Sequence, residues 1–443
     1  MSEIGAQIGV GAQGGRRYYG WTIVAACNVV AMMTWGIGVF NQGVFLRYFV
    51  EGYGWSRAAL SLGPMLFYVW AGLVGLLIGR LIDRIGPRPI LIVGALLLGA
   101  GTTALGFASE PWQVYPGFLL LGSGYSCLHT VTLGAIISRW FLRERARAMG
   151  AATFGASIGG MILAPLNAFL LERWGGPTGG LTLAIIAVVL VVPLALWVMK
   201  DGPEAVGQRI DGAVKDDERG TSEILPSSSL TPRSSPRVDD ERDWRVGEAA
   251  RTMAFWAVAL CFHLAMMAQG GFLVHQVLIL QPMFGLLTAA TVVSVTTIMG
   301  AVGRAAFTAV GGRWPSRQIA AAMFALQAIG LALTAVGSAP WVLVAGSITF
   351  GLTMGIVVSI QPVVAADCFG RRAFGKIYGL IYLAIQLGTG VGALVFGLTA
   401  TALGSYGPIL GVMAGALLLA AFGMRWATPP HGPSPAPIRV ESG

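Results

Sequence analysis

Apolar residues in this chain of 443 residues neither alternate with polar ones at a strand period nor keep to one helical stripe. They gather in long runs broken by short polar turns containing Gly and Pro. A helix crossing a bilayer core needs about 20 mostly apolar residues. Twelve runs meet that length, at about 21–46, 58–79, 89–108, 112–138, 148–171, 180–199, 253–280, 286–310, 318–338, 341–366, 376–400 and 405–424. Transmembrane barrels are built from short alternating strands, which these runs are not. The first run follows Arg16 and Arg17, as in a signal peptide, but it is about twice the usual apolar length and no A-x-A site closes it. It reads as a retained helix. The pattern predicts an all-α membrane protein with twelve transmembrane helices in two six-helix halves. Its parts are an N-terminus at 1–20, halves at 21–200 and 251–427, a charged Ser- and Pro-rich disordered linker at 201–250, and a tail at 428–443.

Composition agrees. The chain is 55% hydrophobic and 11% charged, against roughly 25% charged in soluble domains. The net charge of +9 could suggest a nucleic-acid partner, but its placement argues for topology. Twenty-five of the 29 basic residues fall on one side of the predicted helices, three (Arg47, Arg57, Arg173) on the other, and Arg304 lies within a helix. By the positive-inside rule both termini and the linker are expected in the cytoplasm. The four cysteines lie in or at the edge of helices, so no disulfide is expected. Only three basic residues are lysine. That bias suggests a GC-rich bacterial genome, hence a cytoplasmic (inner) membrane.

The halves repeat. Trp140 to Gly150 is a Phe-led basic loop before a helix with Gly155, Gly159 and Gly160; Cys368 to Gly379 is another, before a helix with Gly388, Gly390 and Gly392. Small residues at such positions let helix backbones approach closely. Between helices two and three runs Gly79-Arg-Leu-Ile-Asp83-Arg84-Ile-Gly86-Pro-Arg88. This resembles the signature loop of the major facilitator superfamily. The resemblance implies a conformational role for Gly79, Asp83, Arg84 and Arg88, with Asp83 meeting a helix N-terminus or an arginine and biasing one access state. The second-half equivalent has Gly312 where an Asp would stand. Gly54-Trp-Ser-Arg-Ala58, Gly303-Arg304 and Phe369 to Gly379 further resemble the monocarboxylate transporters and the oxalate:formate antiporter group.

Arg304 is the sharpest candidate. An arginine in hydrocarbon costs at least about 2.5–3.5 kcal/mol, so it should face a polar cavity and have a partner. No Asp or Glu lies deep in the predicted helices; Asp367 is at a helix end. A substrate carboxylate fits the guanidinium fork; a structural or snorkelling arginine is the competing reading. The family resemblance also implies carboxylate binding by an arginine in helix eight. Animal members carry an Asp one turn earlier, where this chain has Gly300, so proton coupling would need another group. His129, one turn from Tyr125, and His275 are the candidates; each could equally be a packing histidine, and His263 is a weaker one. Polar stripes of Asn28, Met32, Trp35, Val39 and Gln42 in helix one, and of Tyr378, Tyr382, Gln386 and Thr389 in helix eleven, mark cavity faces or helix contacts. A central site would unite them.

These features predict a monomeric secondary transporter of a small monocarboxylate, lactate- or pyruvate-like, with protons as partners in symport. An organic-anion exchanger of oxalate:formate type and a drug or sugar carrier are the alternatives. The single intramembrane cation favours one carboxylate, and a short apolar tail is expected beside Met32, Trp35 and Phe307. A sensor signalling through the linker is disfavoured by the linker's lack of a folded domain. No nucleophile–base pair, metal-ligand spacing or phosphate loop appears in the sequence, so neither an enzyme, a cofactor nor a metal is expected.

Overall fold

The computed structural model describes residues 18–211, 244, 246–310, 314–370 and 374–429. In chain order the helices are α1 (Gly20–Trp35), α2 (Gln42–Tyr53), α3 (Arg57–Ile85), α4 (Pro87–Gly106), α5 (Val114–Leu128), α6 (Thr130–Trp140), α7 (Arg145–Thr153), α8 (Gly155–Pro193), α9 (Val246–Ala249), α10 (Met253–Phe284), α11 (Leu286–Val310), α12 (Ser316–Val336), α13 (Pro340–Phe369), α14 (Phe374–Leu403) and α15 (Gly407–Gly423). Among the described residues the only β-pairing is a single bridge between Phe141 and Asp211. Eleven helical runs are long and apolar enough to cross a membrane.

One of those runs, Arg147–Val198, is 52 residues long. It would span about 78 Å if straight, more than twice a bilayer core. It turns back at Gly175, whose φ of 79° and ψ of −178° are not helical. Contacts confirm the reversal. Ala151, near its start, accepts from Asn28 Nδ2 at 2.7 Å, and Val198, at its finish, accepts from the Tyr19 hydroxyl at 2.9 Å. Both ends therefore lie beside the start of α1.

The first apolar run was expected to end near 46, but helix continues to Tyr53. Polar residues there are helical because they are paired: Arg47 meets Glu51 at 2.7 Å, one turn on, and Phe49 stacks on Trp55 at 4.9 Å. Between α1 and α2, Gly36–Phe40 forms a π-helical segment, and Asn41 Nδ2 donates to the Gly36 carbonyl at 2.8 Å. The fourth crossing was expected as one helix over 112–138. It is broken at His129, which is extended with φ −76° and ψ −176°. Neighbouring hydroxyls accompany the break: Thr132 donates to the Cys127 carbonyl at 2.7 Å and Thr34 to the Leu128 carbonyl at 3.5 Å.

Glycines set the packing distances. Cβ atoms at Gly155 and Gly159 of α8 would collide with the Asn28 and Met32 carbonyls of α1. At Gly388 and Gly392 of α14 they would collide with the His263 and Met267 carbonyls of α10. The repeated Gly-rich segments thus press on α1 and α10 in the same way. α3 packs against α14, and α8 against α11.

The stretch expected as a linker from 201 begins with ordered residues. Pro203–Val206 forms a 3₁₀ turn, and Asp211 returns to the loop after α6. Its Oδ2 accepts from Glu144 N–H at 2.8 Å, ahead of α7, and its own N–H donates to the Trp140 carbonyl at 3.1 Å. The Tyr18 hydroxyl donates to the same carbonyl; burial raises its pKa, keeping it a donor. Residues 212–243 lie outside the described part.

Candidate functional site

The central helices α1 and α10 carry the clearest burial pattern. We call the end near Tyr19 lower and the end near Tyr53 upper. Along α1 the half-buried residues include Asn28, Met32 and Trp35, spaced to share one face. Every residue from 36 to 46 is then buried. Along α10, His263, Leu264 and Met267 are half-buried, and every residue from 268 to 278 is buried. The partly exposed residues on these two helices therefore lie on their lower stretches, up to Trp35 and Met267, and the long buried stretches follow above. Val39 and Gln42, expected to continue the α1 stripe into the cavity, are 3% and 1% exposed and belong to the closed part.

At the top of the accessible region aromatic rings meet. Trp35 lies 5.4 Å from the His129 ring and 6.0 Å from Tyr125; Tyr125 and His129 are 4.6 Å apart. Tyr382 of α14 reaches across, its ring 6.3 Å from His129 and its hydroxyl 3.5 Å from Nδ1. Tyr378 lies 6.0 Å below Tyr382, and Phe67 backs Tyr125 at 5.1 Å. The break at His129 and the π segment beginning at Gly36 both abut this cluster. Interrupted helices of this kind mark functional sites in transporters and enzymes. Gln386, one turn along from Tyr382, is 5% exposed and lies 3.4 Å from where a Cβ at Gly72 of α3 would stand.

Arg304 stands lower. One of its guanidinium nitrogens donates to Ser157 Oγ of α8, and its Cγ lies against Gly355 of α13. Two-residue steps along α8 fix its level. Gly155 touches Asn28 and Gly159 touches Met32, so Ser157 lies between those heights. Asn28 is thus near the level of Arg304.

His275 is elsewhere. It is fully buried in the upper part, where Nδ1 is 3.0 Å from the Tyr406 hydroxyl and Nε2 is 2.9 Å from the Ala393 carbonyl and 3.3 Å from Ser61 Oγ. Phe396 stacks on its ring at 6.0 Å, and Arg57 sits 5.7 Å over Tyr406. His275 was grouped with the substrate residues by its type; the structure sets it in the upper closure instead. Of the two expected histidines, His129 alone joins the ring cluster. That closure continues at Gly43, where a Cβ would lie 2.7 Å from the Val274 carbonyl, and at Arg47, which donates to Gln281 Oε1 at 2.9 Å and pairs with Glu172 at 4.0 Å.

The signature loop sits at the lower end. Arg88 Nε faces Asp201 at 3.5 Å, a residue that follows the α8 run. Arg84 is exposed, and a Cβ at Gly79 would meet nothing within 4 Å. The Asp83 side chain lies outside the described residues. Among the described residues no cluster of His, Cys, Asp or Glu could hold a metal ion.

Ser157, Phe67 and the Arg57–Ser61–Tyr406 group did not stand out in the sequence. Ser157 sits among small residues in Gly155-Ala-Ser-Ile-Gly-Gly160 and reads there as one more packing residue.

Comparison with known proteins bears on this arrangement. The chain is 28% identical to Monocarboxylate transporter 13 of Rattus norvegicus, over 93% of this chain and 89% of that one. It is 25% identical to Monocarboxylate transporter 12 of Homo sapiens, over 82% and 72%. It also resembles the inward-facing, unoccupied crystal structure of a bacterial homologue of the human lysosomal transporter Spinster. There the TM-score is 0.63 at 13% identity, covering 94% of this chain and 96% of that one, which speaks to fold alone. The sequence model of the Major Facilitator Superfamily matches residues 24–393, most of the chain, and the chain belongs to that superfamily.

Proposed function

We propose that the chain is a secondary active transporter of a small organic monocarboxylate, working by alternating access between two six-helix halves with both termini in the cytoplasm. The observation that carries this reading is Arg304: a cation on a membrane-spanning helix, at the border of a region that opens to one end and is closed at the other. Its fork can take a carboxylate in two parallel hydrogen bonds. Ser157 holds one nitrogen and so orients the group. The full-length similarity to proteins named monocarboxylate transporters supports the same substrate class.

On this reading the lower end is cytoplasmic and the arrangement is inward-facing. Proton symport would use His129, which shares a cluster with Tyr382 across the cavity and lies one to two turns above Arg304. Arg88, Arg84 and Asp83 act at the cytoplasmic face. The test is uptake of labelled monocarboxylates by proteoliposomes with and without an inward proton gradient. Uptake dependent on Arg304 and accelerated by the gradient is expected. Uptake that ignores Arg304 would overturn the site assignment.

A further inference from the structure

We infer that the body of the transported anion is an aromatic or comparably flat apolar group, not the one- or two-carbon tail of a lactate-like acid. This deepens the monocarboxylate reading and rests on it. The argument begins with distance. Arg304 is held at Ser157, between the levels of Asn28 and Met32. Trp35 is about five residues further along α1 than the midpoint of that interval, or about 7 Å at 1.5 Å per residue. A carboxylate seated on Arg304 therefore lies below the ring cluster, with Met32 at the level between them. A lactate-sized tail ends well short; a carboxymethyl group bearing a six-membered or bicyclic ring reaches it.

The second part is chemistry. The surface met at that height is aromatic on several sides. Trp35, His129, Tyr378 and Tyr382 are all half-buried, while Tyr125 and Phe67 are buried behind them at 3% and 0% exposure. The accessible layer is thus rings, and a buried layer of rings fixes it in place through contacts of 4.6 to 6.0 Å. Ring faces and edges favour another aromatic group in stacked or edge-on contact, beyond what area alone provides. The intervening residue, Met32, is half-buried and adaptable. Two of the polar atoms in the cluster, the Tyr382 hydroxyl and His129 Nδ1, face one another at 3.5 Å. They offer a hydroxylated aliphatic tail less than they offer a ring. The four half-buried rings are the ones a substrate can touch.

The test is binding and competition with the full chain in proteoliposomes, using indole-3-acetate and phenylacetate against acetate, lactate and pyruvate. The aromatic acids are expected to bind at least about tenfold tighter. Arg304→Ala should weaken binding of every acid about a hundredfold. Trp35→Ala should weaken the aromatic acids by a larger factor than acetate, removing most of the aromatic advantage, and Trp35→Phe should restore it. If all acids bind with equal affinity and all depend on Arg304, the monocarboxylate reading stands and the aromatic inference falls. If Trp35→Ala weakens acetate and indole-3-acetate alike, Trp35 acts on folding or closure and the inference falls too. If no acid binds, or affinity is unchanged in Arg304→Ala, the carboxylate reading falls and takes the inference with it.

Discussion

The two ends of the central helices solve different problems with different materials. Above Trp35 and Met267, α2 and α10 meet backbone to backbone, through Gly43 on the Val274 carbonyl, and buried polar groups pair within the contact, His275 with Tyr406 and Arg47 with Gln281. Below that level α1 and α10 also press on α8 and α14 at Gly155, Gly159 and Gly388, but half-buried long side chains line the helices as well, and polar contacts such as Arg304 on Ser157 and Asn28 on Ala151 run between helices. A seal is built from short range and close fit. A binding region is built from side chains long enough to reach something that comes and goes. On the alternating-access reading proposed above, the upper seal must part and the lower region close, so each end should respond to its own kind of damage.

The largest effect is expected at the lower end. Arg304→Ala should weaken substrate binding about a hundredfold, the loss of a charge-assisted, two-pronged pair worth about 2–3 kcal/mol. Arg304→Lys should fall between, keeping the charge but not the fork. Calorimetry in detergent would read both, and unchanged affinity in the Ala variant would erase the distinction between the two ends.

Next comes a wedge in the seal. Leu at Gly43 cannot fit against the Val274 backbone, so α2 and α10 must separate. A cysteine at Val277, 1% exposed, should be inert to a membrane-impermeant maleimide in the parent. In the Gly43→Leu background it should react at least about tenfold faster, as burial is lost. Equal labelling would show that the upper contact is not what excludes water.

The paired histidines sharpen the comparison further. His129→Gln should flatten the pH–rate profile between about pH 5 and 8, where histidine titrates, removing the stimulation by external acid. His275→Gln should leave that profile intact. It should instead lower the melting midpoint by about 2–4 °C for the hydrogen bonds it disturbs. If the two variants exchange phenotypes, the seal and not the ring cluster carries the proton.

The smallest effect is expected outside both regions. Asp211→Ala removes the carboxylate that accepts from Glu144 N–H ahead of α7, a cap worth about 1 kcal/mol. Hydrogen exchange at residues 144–148 should quicken while transport stays near the parent rate. Unaltered exchange would mean that the returning segment is a passenger.

How much of this was legible beforehand divides along the same line. Runs of apolar residues anticipated each of the eleven described stretches long and apolar enough to cross a membrane, two of the runs falling within 147–198, because bilayer thickness sets their length. The Gly-rich segments at 155–160 and 388–392 announced close packing and delivered it against α1 and α10. Trp35, Tyr125, His129 and Tyr382 were all anticipated, and they meet. What the sequence could not separate was His129 from His275. Both are histidines within apolar helices, and only the partners from other helices, Tyr382 for one and Tyr406 with Ala393 for the other, tell them apart. Arg88 was likewise visible, but Asp201, which faces it, lies 113 positions along the chain, a pairing no local pattern encodes. The break at His129 escaped because hydropathy is blind to one extended residue.

Gly175 has a consequence for how the chain is threaded. An odd number of crossings leaves the two termini on opposite faces of a membrane; an even number returns them to the same face. Hydropathy and helix length alone merge 147–198 into one element and count eleven. The backbone at Gly175, with a positive φ that an L side chain rarely adopts, divides that element, so that the described residues hold twelve stretches able to cross. On the topology proposed above, the face on which a fusion to the C-terminus would emerge turns on one dihedral angle at a residue with no side chain.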